Sequence, residues 1–95
     1  MPQNIIMASI KNLKKDINYT LGAIATICDE WQKLNTSSDM TLSNAILDDA
    51  YDTYDDLLNR VNQKRNITNI KGYFKEINQE LESKAIALLE RANSL

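Results

Sequence analysis

From Ser9 onward, apolar residues return every three or four positions, at Ile10, Leu13, Ile17, Leu21, Ile24, Cys28, Trp31 and Leu34. That spacing gathers them on one face of an α-helix and leaves Lys11, Lys15, Asn18, Asp29 and Gln32 on the opposite face. The pattern predicts a first helix over about 9–34. Residues 35–39 read Asn-Thr-Ser-Ser-Asp, a cluster of turn formers whose side chains compete with the helical backbone, so the helix is expected to end there.

A second stripe follows as Ile46, Leu47, Ala50, Tyr54, Leu57, Leu58 and Val61, predicting a helix over about 42–63 with Thr41 or Ser43 as its cap. Lys64 and Arg65 suit the negative end of that helix dipole, and Asn66-Ile-Thr-Asn69 supplies the next break. The third stripe, Ile70, Phe74, Ile77, Leu81, Ala85, Leu88 and Ala92, predicts a helix over about 69–93. A linker of about five residues cannot carry the chain back along a rod of roughly 35 Å, so consecutive helices must run in opposite directions. The expected fold is therefore all-α, an antiparallel up-down-up three-helix bundle forming a single domain over 9–95. Residues 1–8 are expected to be a frayed N-terminal extension, with Met7-Ala8-Ser9 as an alternative biological start.

Composition supports this reading. The chain has two glycines and one proline, and the proline is residue 2, so nothing after it forbids a helix on covalent grounds. A length of 95 residues with 43% hydrophobic side chains suits one core and leaves no room for a second domain. The net charge of −2 is too small to steer the protein toward nucleic acid, and no nucleic-acid partner is expected. The longest nearly uncharged stretch, Ile17 to Cys28, is too short and too polar to span a bilayer, so membrane insertion is not expected either. No secretory pattern opens the chain, which makes a cytoplasmic location the expectation.

Histidine is absent, which removes the usual general base, the usual zinc ligand and every Ser-His or Cys-His pair. The only glycines, Gly22 and Gly72, fall inside predicted helices, so there is no Gly-rich phosphate loop. The expectation is a non-enzyme without cofactors. Cys28 lies on the apolar stripe and reads as a small buried thiol.

Several clusters remain as candidates. Asp48, Asp49, Asp52, Asp55 and Asp56 fall within nine residues, and Asp48, Asp52 and Asp56 are the metal candidates among them, set against the plainer reading of a solvated acidic face. In an assumed register, Lys75 falls level with Asp56 and Lys84 with Asp48. Lys11, Lys14, Lys15, Lys64, Arg65, Lys71 and Lys75 would collect toward one end of the bundle. Tyr19, Tyr51, Tyr54, Tyr73, Phe74 and Trp31 are spread over all three helices and read as core or its margin, with a small-ligand pocket as the sharper alternative. Gly22 costs roughly 1 kcal/mol in mid-helix and asks for a reason, either close approach of another helix or contact with a second copy. Apolar residues outside the narrow seams, Ile27, Leu47, Leu58, Tyr73, Ile86 and Leu89, widen the buried faces or support a homodimer.

The run Ser9-Ile-Lys-Asn-Leu-Lys-Lys-Asp-Ile-Asn-Tyr19, the Asp55-Asp56-Leu57 stretch and Tyr73-Phe74-Lys75 resemble a small uncharacterised all-helical family of Bacteroidota-type bacteria. That resemblance implies a helical fold and a bacterial source, and brings no activity or site residues with it. The functional expectation is a non-catalytic cytoplasmic bundle acting through contacts with a protein partner whose identity the sequence does not give. The alternatives are a bacteriocin-immunity-type helical bundle and a divalent-metal- or small-ligand-binding bundle that uses the acidic face of the second helix.

Overall fold

Fourteen apolar side chains drawn from all three stripes form one buried cluster, in which Ile17, Cys28, Leu57, Val61 and Ile77 have no exposed surface at all. The computed structural model describes the backbone of residues 2–63 and 68–95 and the side chains of residues 10–63 and 68–95. Three helices carry the cluster: α1 (Pro2–Leu34), α2 (Thr41–Asn62) and α3 (Ile70–Asn93). They make an all-α three-helix bundle with principal extents of 55 × 17 × 17 Å, and no strand occurs among the described residues. The long axis belongs to α1, whose 33 residues span roughly 50 Å at 1.5 Å per residue.

Both ends of α2 and α3 and the end of α1 fall within one residue of the expected positions, and the start of α1 does not. Helical backbone in α1 begins at Pro2, seven residues before the start that the apolar spacing marks at Ser9. Proline is well suited to a first helical position, because its fixed φ is helical and its missing N–H has no partner there to lose.

Each break is held by side chains that satisfy free backbone groups. At the end of α1, the Asn35 amide donates to the Trp31 carbonyl at 2.8 Å, and the Ser38 N–H donates to the Asn35 carbonyl at 2.9 Å. Neither Thr41 nor Ser43 caps α2. The helix starts after Met40, and Asp39 instead accepts from the Thr41 N–H at 2.9 Å and the Thr41 hydroxyl at 2.6 Å. These bonds favour the ionised carboxylate and hold Asp39 below its ordinary pKa. α3 opens as expected, with Asn69 accepting from the Gly72 N–H at 3.1 Å. A Cβ at residue 72 would sit 2.6 Å from the Asn69 amide nitrogen, so glycine leaves room for the cap. Lys64 to Ile67 lie outside the described residues.

Ser43 is fully buried, the one polar side chain in that class among the described residues. Its hydroxyl donates to the Met40 carbonyl at 3.1 Å and accepts from the Gln32 amide at 2.8 Å, and the same amide donates to Asn44 Oδ1 at 2.8 Å. α1 and α2 are thus tied at their shared end by a polar clamp whose buried atoms are satisfied.

Three placements correct the sequence reading. Leu34, expected on the α1 seam, is 82% exposed because it is the last residue of α1, six positions beyond Cys28, the last buried residue of that helix. The ion pairs also differ. Lys75 and Lys84 make none with Asp56 or Asp48 among the described residues, and the pairs that join α2 to α3 are Arg60 with Glu80 and Arg91 with Asp49, the latter at 2.6 Å. Helical side chains lean toward their own N-terminus, so antiparallel partners meet at positions offset from those that are level along the backbone. Glu80, accepting from the Arg60 guanidinium, raises the Arg60 pKa above its ordinary value, and Asp56 adds an i,i+4 contact at 3.9 Å.

Gly22 is the third correction, because among the described residues no other helix comes into contact distance of it. A Cβ built there meets no atom within 4 Å. Gly22→Ala is therefore expected to raise the unfolding free energy by about 1 kcal/mol through helix propensity, measurable as a higher urea midpoint with unchanged slope.

Candidate functional site

The acidic residues of α2 do not assemble into a site. Asp48, Asp52 and Asp56 are all exposed, Asp56 leans on Arg60 and neighbouring Asp49 is bound to Arg91. Among the described residues, no group of three or more His, Cys, Asp or Glu side chains is placed to hold a metal ion. The aromatics are dispersed, with Tyr51 and Tyr54 lining a small cavity of about 140 Å³ beside Gly22. Tyr19 and Tyr51 are exposed, the Lys15 ammonium stands 5.8 Å from the centre of the Tyr19 ring, and Tyr73 packs beside its neighbour Phe74 while donating to the Arg60 carbonyl at 2.6 Å. Cys28 is buried, and desolvation followed by the charge of Asp29 pushes its thiol pKa up, which keeps the sulfur protonated and unreactive.

What the fold does build is an open apolar groove of about 660 Å³ between α1 and α3. Its floor is Ile24 and Leu81 from the core together with the small side chains Ala23 and Ala85. Ile27, Ile86 and Leu89 line it and are 39%, 54% and 40% exposed, so three aliphatic side chains share one exposed apolar patch. Its charged lining residues are Asp16, at the end nearer the helix N-termini, and Glu82, about one turn beyond Asn78 along α3, and neither carboxylate is ion-paired among the described residues.

The groove has a simple origin in the chain. In α1, Ala23 and Ile27 sit one position to the side of the seam residues Ile24 and Cys28; in α3, Ile86 and Leu89 sit beside Ala85 and Leu88. Both helices therefore carry an apolar flank broader than a three-helix core can cover, and α1 and α3 turn those flanks toward the same side. Of the six surplus apolar residues in the sequence, Leu47, Leu58 and Tyr73 pack against the core, while Ile27, Ile86 and Leu89 converge here. No helix among the described residues is long and apolar enough to cross a membrane. In comparisons with known proteins, no family model, no curated protein and no solved structure matches the chain.

Proposed function

We propose that this chain is a non-catalytic cytoplasmic bundle that acts by docking a helical protein segment on the face between α1 and α3. The observation that carries the reading is the convergence of Ile27, Ile86 and Leu89 beside the small residues Ala23 and Ala85, which forms a trough with apolar walls and room for another helix. Burial of three such side chains is a substantial driving force, at about 25 cal/mol for each Å² of apolar surface removed from water. Helix-in-groove recognition uses this geometry, with anchors spaced at i, i+3, i+4 and i+7 on the incoming segment. The absence of histidine from the sequence and the dispersal of the α2 carboxylates are consistent with a role without catalysis.

Site-specific photo-crosslinking tests this directly. A benzophenone side chain in place of Leu89, at the groove, is expected to give a discrete protein adduct in cells that carry the chain, and the same group in place of Asp52, on the exposed face of α2, is expected to give none. Equal labelling from both positions, or no adduct from Leu89, would remove the reading.

A further inference from the structure

The two walls of the groove carry their polar and apolar residues in the same order. On α1 the lining begins with Asp16 and Thr20 and continues with Ala23, Ile24 and Ile27. On α3 it begins with Asn78, passes Glu82 and ends with Ala85, Ile86 and Leu89. Each wall runs from its first to its last lining residue over about 16 Å of helix, and the two helices point the same way. The groove is therefore polar and acidic toward the N-terminal ends of its walls and aliphatic toward the C-terminal ends.

Its lining includes two carboxylates and no cation. No lysine or arginine lies three or four positions from Asp16 or from Glu82, so neither has a cation of its own helix within reach. Lys15, next to Asp16 in the chain, stands over the Tyr19 ring. Where α2 meets α3 the opposite holds, since Glu80 and Asp49 are matched there by Arg60 and Arg91.

Such a surface selects its occupant by charge as well as by shape. A purely aliphatic helix would draw water away from both carboxylates and return no partner to them. An acidic helix, a nucleic acid or an anionic lipid surface would meet like charge in the polar half. We infer that the groove's occupant is a cationic amphipathic helix, whose aliphatic anchors cover Ile27, Ile86 and Leu89 and whose lysine or arginine, one to two turns away on the same face, pairs with Asp16 and Glu82. Arginine suits this position best, because its planar guanidinium binds carboxylates through two parallel hydrogen bonds. The inference rests on the docking role proposed above and assigns the chemistry of its partner.

Fluorescence anisotropy of the full chain with two designed helical peptides tests it. The first has leucines spaced i, i+3 and i+4, with arginines one and two turns further along that face, in a background of alanine and glutamine; the second has glutamates in place of the arginines. The arginine peptide is expected to bind, with an affinity that falls as salt is added, and the glutamate peptide to bind about tenfold more weakly or less. Asp16→Lys combined with Glu82→Lys is expected to reverse that preference. Ile86→Ser, which keeps both carboxylates and removes one aliphatic wall, is expected to weaken the arginine peptide, with an unchanged helical circular dichroism spectrum in both variants. No binding, equal binding of the two peptides, a preference that survives the double charge reversal, or an affinity indifferent to Ile86→Ser would each overturn the inference. So would a chain that sediments alone as a dimer and returns to the monomer with Ile86→Ser, since the occupant would then be a second copy. A Leu89 adduct obtained alongside any of these results would uphold the docking role while removing this assignment of its partner.

Discussion

Ile17→Asp is expected to unfold the protein at neutral pH. Ile17 has no exposed surface, and the core around it offers a carboxylate no cation and no free hydrogen-bond donor. Burying such a group raises its pKa by up to about 3–5 units, a penalty of roughly 4–7 kcal/mol when ionised, to which the lost apolar burial adds. A domain of this size is stable by about 5–15 kcal/mol, so most or all of that margin goes. The pH dependence has a definite sign. The carboxyl's pKa is higher in the folded state than its unfolded value of about 3.9, so the penalty is absent below that pH and grows as pH rises toward the folded value. Circular dichroism should therefore show a large loss of helix relative to wild type at pH 7 and a much smaller difference at pH 3. An equal loss at both would mean that the defect is steric.

Leu57→Ala is expected to cost about 3 kcal/mol, within the 2–5 kcal/mol range for emptying a buried leucine site. Leu57 has no exposed surface, five residues before the end of α2, and belongs to a cluster drawn from all three helices, so the cavity has little freedom to collapse. For a domain of this length, that corresponds to a fall in melting temperature of about 15 °C. Leu34→Ala removes the same atoms from an exposed site and is expected to change it by less than a degree or two. The contrast between two chemically identical substitutions measures burial alone, by thermal unfolding of both variants under one set of conditions.

Why these positions are buried is mostly written in the spacing of apolar residues. A 3.6-residue period specifies a face without reference to the rest of the chain, so Leu13, Ile17, Leu57, Val61, Ile77 and Leu81 are recognisable as core before any packing is known. Ser43 could not be found this way. A serine near a helix start reads as a cap, and its burial depends on Gln32, eleven residues earlier on another helix, reaching across to satisfy it. The pairs Arg60–Glu80 and Arg91–Asp49 were likewise hidden, because they depend on the lean of each side chain as well as on the level of its backbone.

The groove lies between these cases. Ile27, Ile86 and Leu89 are conspicuous in the sequence as apolar residues too many for a narrow seam. That they share one trough follows only from α1 and α3 standing side by side, which places flanks from opposite ends of the chain together. The acidic run of α2 went the other way. It is dense along the chain, but a helix distributes its carboxylates around an exposed face, where Asp49 and Asp56 turn to arginines and Asp48 and Asp52 to solvent.

The parallel, side-by-side placement of α1 and α3 thus underlies both the core and the docking face, and one distance reports on it. Spin labels at Lys33→Cys and Asn93→Cys, in a Cys28→Ala background and diluted with unlabelled protein, mark the C-terminal ends of the two helices. Neighbouring helix axes stand about 8–10 Å apart, so with the label arms a pulsed dipolar measurement should give a narrow distribution near 20 Å. A distance beyond about 35 Å, the length of α3, would place those ends at opposite poles of the bundle and contradict the fold and the groove together.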